Sequence, residues 1–435
     1  MDIVVIGGGA AGMSAASKAK RTDNSSTVTV IESGNFVSYA ECGIPYYLSG
    51  KVENYESLIH YPVSEFIEKR GIKVITGKRV SGVDTDNKEI ILENGEKMNY
   101  GKLVVASGAS AIKSKFGTLD HVYSVRTLDE AINIKKSNSG KRIAIVGDGI
   151  LGLELASEFA LSSKDVSLIS KHDFLFPKMD PKVVGEMLSD FRERVKVFLS
   201  SNVKNMLNEN KSLKIELENA SLDVDSVFFA VGTVPNTQFL KNSKIRMNEH
   251  GLIEVNAMME TNVKDVYAAG DCATSINRIT GKSESQPLAQ VANKMGRVAG
   301  SNIAGKEMKF PGGLGTTLVK IFDYEIGFCG LNVEKAGKEG FSPESKIVKG
   351  KSRANYYPGG SNLSLKIVYD RESRRLLGAE VCSRDNGAWR LNTLETAIFS
   401  GMTVDDLFYN DLGYTPPFGP VWDPIIIAAS LTMRD

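Results

Sequence analysis

The stretch SYAECGIPYYLSG, Ser38 to Gly50, carries a single cysteine, Cys42, with no second cysteine near enough in sequence to share an oxidising equivalent. A cysteine thiolate is both a nucleophile and a leaving group. Pro45 stands three residues on, and proline is accommodated in the first turn of a helix but not in its interior. The spacing therefore predicts a helix that begins around Cys42, whose free amides and positive dipole end would favour the thiolate. Without an internal partner, an oxidised Cys42 must be a mixed disulfide with an outside thiol or a sulfenic acid. The plain alternative is a buried, inert cysteine.

Two glycine loops suggest where electrons would come from. In GGGAAG, Gly7, Gly9 and Gly12 fit G-x-G-x-x-G between a β-branched run and an alanine-rich one, a pattern that lets backbone approach a pyrophosphate at a helix N-terminus. Glu32 ends the next strand 20 residues after Gly12, where a carboxylate accepts hydrogen bonds from ribose hydroxyls. The second loop holds Gly147, Gly149 and Gly152, and Glu154 opens the helix that follows. Its acidic reader is missing. ISKHDF puts Ser170, Lys171 and His172 at that strand end, with Asp173 one step beyond. Lys171 and His172 suit a 2′-phosphate, which points to NADPH over NADH; a solvated Lys-His pair is the alternative. Two dinucleotide sites imply a flavin held permanently, FAD, and a nicotinamide that visits. Asp271 in AAGDC, at another strand end, can hold the flavin's ribityl chain or, more plainly, cap a helix.

These residues need a scaffold. IVVIGGGAAGMSAASKAKR followed by TVTVIES reads as a βαβ unit, and the order returns at RIAIVGDGILGLELASEFA followed by DVSLIS, about 140 residues on. LVVASGAS and SVFFAVGTVPNT read as the matching strand-and-turn segments, with Ser107 in the first turn expected at the cofactor. DVYAAGDCATS and the helical QPLAQVANKMGRVAGSNIAG return to the first unit. Beyond Phe310, strand-like runs and a helix near NTLETAIFSG suggest an α+β domain. The expected fold is α/β: an FAD-binding domain over 1–110 and 240–309, an NAD(P)H-binding domain over 111–239, and a C-terminal domain over 310–435.

The 435 residues exceed one ordinary core, which agrees with that division. With 53 basic and 52 acidic side chains, the net charge of +1 gives no global drive toward nucleic acid or an anionic membrane. Four dispersed cysteines fit a reducing compartment, and neither a basic leader nor a membrane-length apolar run is present, so a cytoplasmic protein is expected. Cys272, Cys329 and Cys382 are assigned to packing. His60, His121, His172 and His250 lack metal-ligand spacing, so no metal is expected.

VVIGGGAAG, SYAECGIPYY, AIVGDGILGLELA, AVGTVPNT, VYAAGDC and GYTPPFGPVWDP, in this order along the whole chain, resemble the flavoproteins of the pyridine nucleotide-disulfide oxidoreductase family. The single-cysteine segment and the YTPPF tail narrow the resemblance to coenzyme A disulfide reductases and their NAD(P)H oxidase and sulfur reductase relatives. It implies a glutathione reductase-like fold with a C-terminal dimerisation domain, a homodimer, and coenzyme A as the thiol resident on Cys42. Relatives that cycle through a sulfenate carry a histidine in the first glycine loop, where this chain has Ala10 and Ala11, which favours the mixed disulfide.

By matching positions, the resemblance implies coenzyme A contacts from Ser14, Lys18, Arg21, Ser38 and Arg70, although the basic stretch SKAKR also reads as a solvated helix face. Glu41 replaces an asparagine of some relatives and is expected to face the pantetheine or solvent. Tyr356 and Tyr414, with Tyr357 beside them, would reach the partner subunit's flavin and assist the leaving thiolate. Trp422 replaces a lysine and is expected to pack. The implied reaction is NAD(P)H-driven reduction of coenzyme A disulfide; the alternatives are an NAD(P)H oxidase, a coenzyme A-dependent polysulfide reductase, or a redox-sensing flavoprotein.

Overall fold

Ile3, Val4, Val5 and Ile6 are apolar on both faces, as a strand covered on two sides requires. A computed structural model, which describes residues 1–137, 139–209 and 212–434, makes Asp2–Ile6 the centre of a parallel five-stranded sheet. The order is Val266–Ala268, Lys102–Val105, Asp2–Ile6, Thr27–Ile31, Lys73–Ile75. The late strand Val266–Ala268 thus closes the edge of the sheet begun by the N-terminus, and brings Asp271 back to the first glycine loop. Helix Ala10–Thr22 packs on helix Ala289–Ile303. A Cβ on Gly296 or Gly300 would fall 2.1 or 2.2 Å from the carbonyl oxygens of Ala11 and Ala15, so small residues on both helices permit backbone contact.

The second unit repeats this plan. Its parallel sheet runs Lys196–Phe198, Asp165–Ile169, Arg142–Val146, Ser226–Phe229, Val122–Tyr123. Each unit also carries a three-stranded antiparallel insert before its next parallel strand, Val80–Asp84 with Glu89–Leu92 and Lys97–Asn99 in the first and Asn205–Glu209 with Ser212–Glu216 and Ser221–Val224 in the second. A short antiparallel pair, Ala109–Ala111 with Thr233–Pro235, joins the two units.

The C-terminal part is an antiparallel sheet ordered Thr317–Ile321, Tyr324–Gly330, Leu376–Ser383, Asn362–Asp370, Pro343–Lys351, with helix Arg390–Ser400 packed against it. Every residue of Leu376–Ser383 is buried, because helix Pro181–Arg194 of the second unit also packs there. Buried Lys366 lies 2.8 Å from Asp180, which caps that helix, and 3.6 Å from buried Glu380, whose carboxylate accepts the Asp180 amide at 2.7 Å. Burying these charges is tolerable because they are paired. Among the described residues, no helix is long and apolar enough to cross a membrane.

Candidate active site

Both glycine loops are shaped by steric exclusion. Gly7 has φ +103°, and a Cβ there would lie 2.2 Å from the Ala106 carbonyl oxygen; one on Gly12 would lie 1.9 Å from the Gly7 oxygen. The second loop repeats this, with Gly147 at φ +113° and 2.4 Å from the Ala230 oxygen, and Gly152 2.0 Å from the Gly147 oxygen. Helices Ala10–Thr22 and Ile150–Leu161 both start without a side-chain cap, leaving first-turn amides for an anion. Glu32 is held by the first loop: its two carboxylate oxygens accept the Gly8 and Gly34 amides, each at 2.7 Å. The residues present fit two dinucleotides.

The Cys42 segment touches both units. Glu41–Gly43 form one 3₁₀ turn and the α-helix proper is Ile44–Ser49, two residues later than a start at Cys42. Pro45 has no amide to give the Glu41 carbonyl, so Ile44 donates to it instead and the turn tightens. Just upstream, Ser38 takes a left-handed φ of 52°, gives its amide to the Gly8 carbonyl at 3.0 Å and accepts the His60 amide at 2.9 Å. These bonds seat the cysteine segment on the first glycine loop. Cys42 is exposed, whereas Cys272, Cys329 and Cys382 are buried. Burial pushes those three thiols up, Cys382 to about 12.

Glu41 is half-buried and paired. Its carboxylate lies 3.0 Å from Arg126, whose same nitrogen lies 2.5 Å from Asp271. One guanidinium thus serves two carboxylates, and burial raises both acids above the ordinary range, offset in part by Arg126. A half-buried carboxylate needs such a cation, a partner the sequence reading did not assign to Glu41. Arg126 itself escaped that reading. It precedes Thr127, which caps helix Leu128–Lys136 in a capping box with Glu130, and nothing local announces its distant partners.

On its other side the Cys42 helix meets the second unit. The Tyr46 hydroxyl donates to Glu154 at 2.8 Å, Ser49 donates to Glu158 at 3.3 Å, and Lys51 pairs with Glu158 at 3.3 Å. Burial raises Glu154 and the Tyr46 phenol alike.

The residue pattern of the pyridine nucleotide-disulphide oxidoreductase family matches residues 1–296, and that of its dimerisation domain matches 316–424. This chain belongs to that family. Its members are FAD- and NAD(P)H-dependent oxidoreductases, and the protein is an enzyme of this class. It is 38% identical over 436 residues to an NAD(P)H coenzyme A polysulfide/persulfide reductase of Pyrococcus horikoshii, covering 98% of this chain and 97% of the relative. It is 30% identical over 429 residues to a coenzyme A disulfide reductase of Staphylococcus aureus, covering 96% of each. A NAD-dependent persulfide reductase from A. fulgidus superposes with a TM-score of 0.95 at 32% identity, over 100% of this chain and 83% of that one. The α/β class with two Rossmann-like units and a dimerisation domain is the fold this oxidoreductase has.

Of the remaining expected contacts, Ser14 donates its hydroxyl to the Asn293 carbonyl at 2.9 Å. Lys18 is lowered by slight burial and then by Lys306, Arg297 and Arg21, so these three cations lie near it; Arg297 and Lys306 were not singled out in the sequence. Arg70 reaches the first helix through Ser17, at 3.4 Å, with its guanidinium over the rings of Tyr61 and Phe66. The Ser107 hydroxyl donates to the Asn236 carbonyl at 2.7 Å, and Asn236 donates back at 3.0 Å, so this serine is engaged in the joint between the units. Lys171 is exposed, and His172 is held by Asp148. Tyr356 and Tyr414, 75% and 48% exposed, face each other with their hydroxyls 3.3 Å apart, while Tyr357 lies under Arg353. Trp422 packs beside Phe408 but stays largely exposed.

Proposed function

We propose that this oxidoreductase reduces coenzyme A disulfide with electrons from NAD(P)H, NADPH preferred, and that Cys42 carries coenzyme A as a mixed disulfide between turnovers. The observation that carries the reading is the one exposed thiol, seated on the first glycine loop and tied by its helix to the second unit. What a bound flavin supplies is hydride acceptance from the nicotinamide and an electron pair for sulfur.

The chain's own residues do the rest. When the electron pair breaks the bond between Cys42 and coenzyme A, one coenzyme A leaves and takes a proton. The Cys42 thiolate then attacks a sulfur of coenzyme A disulfide; a new sulfur–sulfur bond forms, the old one breaks, and the second coenzyme A leaves as a thiolate. One NADPH and one proton thus give two thiols. Lys18, Arg21, Arg297 and Lys306 offer cations for the phosphates of coenzyme A, and Ser14, Ser38 and Arg70 are the further contacts that the family resemblance implies. In a homodimer built on the C-terminal domain, Tyr356 and Tyr414 would stand at the neighbouring subunit's thiol. The hydrogen bond shared with Tyr414 raises the Tyr356 phenol, so its proton is retained near neutral pH. Dispersed free cysteines suit a reducing cytoplasm.

A second reading keeps Cys42 and replaces the acceptor by a coenzyme A persulfide or polysulfide. It is favoured by the higher identity to the Pyrococcus horikoshii relative, 38% against 30% for the Staphylococcus aureus one. Anaerobic NADPH oxidation with coenzyme A disulfide as sole acceptor separates the two. Rapid turnover with two thiols per NADPH is expected, and Cys42→Ser is expected to abolish it while keeping flavin. Turnover only with polysulfide moves the assignment to the second reading; turnover only with oxygen, or full activity in Cys42→Ser, overturns both.

A further inference from the structure

The second glycine loop reads G-D-G, so Asp148 stands where the first loop has Gly8. Its side chain is 5% exposed. Its oxygens lie 2.9 and 3.2 Å from His172 Nδ1, and one also accepts the Phe176 amide at 3.3 Å. His172 follows the strand Asp165–Ile169, and its backbone is pinned at both ends. Its amide donates to the Ser170 hydroxyl at 3.0 Å and its carbonyl accepts the Ser200 amide at 2.8 Å. With Nδ1 taken, Nε2 is the nitrogen left for a ligand, on a ring that is 39% exposed.

A buried carboxylate inside a pyrophosphate loop is unfavourable for an anionic ligand unless its charge is cancelled. An imidazole that donates Nδ1–H to that carboxylate does so when it is protonated, and then presents Nε2–H as a donor. The first loop has no such need, because its carboxylate, Glu32, lies outside the glycine run.

We propose that Asp148 is a positioning residue for dinucleotide selection: it holds His172 by Nδ1 so that Nε2 is turned to a 2′-phosphate, while the ring screens the carboxylate from the pyrophosphate. The inference rests on the reading of the second loop as an NADPH site. It makes the two residues one unit, so removing the histidine alone is worse for any adenine nucleotide than removing both.

The test is calorimetric titration of the flavin-loaded protein with 2′,5′-ADP and 5′-AMP, with flavin content and melting temperature checked for each variant. Unaltered protein should bind 2′,5′-ADP about ten-fold or more tightly than 5′-AMP. Asp148→Asn should lose most of that preference while 5′-AMP binding changes by less than about two-fold. His172→Ala should weaken both probes, and adding Asp148→Ala to it should restore 5′-AMP but not 2′,5′-ADP. Equal binding of the two probes by the unaltered protein overturns the NADPH reading together with the inference. Discrimination that survives Asp148→Asn, or 5′-AMP binding that is the same in His172→Ala and the double variant, overturns the inference alone.

Discussion

In the first unit Gly12 leaves no room for a Cβ beside the Gly7 carbonyl, and in the second Gly152 leaves none beside Gly147; yet the next strand ends in Glu32 in one and in Ser170, Lys171 and His172 in the other. The common part is backbone. A pyrophosphate is read by amides at a helix start, which any nucleotide of this class satisfies in the same way. The differing part is side chain, and it is where ribose and its substituents are read. Glu32 is pre-set by two amides at 2.7 Å, as the proposed flavin site requires. The second unit keeps its carboxylate in the loop, behind an imidazole, and turns Glu154 toward Tyr46 of the Cys42 helix.

The harshest way to break this comparison is to fill each cradle. Gly12→Ala and Gly152→Ala place a Cβ about 2 Å from a backbone oxygen, so the loop must move by more than a side chain can absorb. Overpacking of this kind costs about 1–3 kcal/mol, and the displaced amides add to it. Gly12→Ala is expected to purify with flavin absorbance per protein reduced about ten-fold or more. Gly152→Ala should keep its flavin but need about ten-fold more NADPH for half-saturation. Flavin loss in both variants would mean that the cradles are not independent.

The sequence exposes the cradles because a glycine loop between a buried strand and a helix is a local pattern, and Pro45 likewise marks the turn that holds Cys42. The partners of the acids are not local. Arg126 meets an aspartate 145 residues away, and His172 meets Asp148 across the loop, 24 residues back. A charged residue in isolation reads as surface, and only the fold shows which ones are half-buried and paired. A helix beginning around Cys42 was legible from Pro45, but its division into a 3₁₀ turn at Glu41–Gly43 and an α-helix from Ile44 was not.

Arg126 sharpens the comparison because it enters from the flank of the second unit yet neutralises acids of the first. Arg126→Ala leaves Glu41 and Asp271 without their cation, at a cost of about 1–3 kcal/mol once solvent access to Glu41 is allowed for. Burial already raises both carboxyls in the folded state, and removing the guanidinium raises them further. The native state then binds more protons than the unfolded one, so stability falls as pH rises through the raised values and is recovered at lower pH. The melting temperature of Arg126→Ala should therefore lag most near pH ~8 and approach that of the unaltered protein toward pH ~4. A deficit that stays constant over this range would show that the guanidinium acts by packing alone.

The smallest expected effect belongs to Tyr46→Phe. It removes one hydrogen bond, at 2.8 Å, between the Cys42 helix and Glu154, a loss of about 1 kcal/mol. That bond lowers Glu154 against the larger effect of burial, so its removal lets the carboxyl rise further. Glu154 lies on the helix that opens at the second glycine loop, whereas the Cys42 segment is seated on the first through Ser38 and Gly8. The change should thus appear as a roughly two- to five-fold higher KM for NADPH, with flavin content and the rate of Cys42 alkylation unaltered. Loss of flavin in Tyr46→Phe would place the anchor of the Cys42 helix on the second unit instead, and the division of labour between the two loops would have to be redrawn around Glu154.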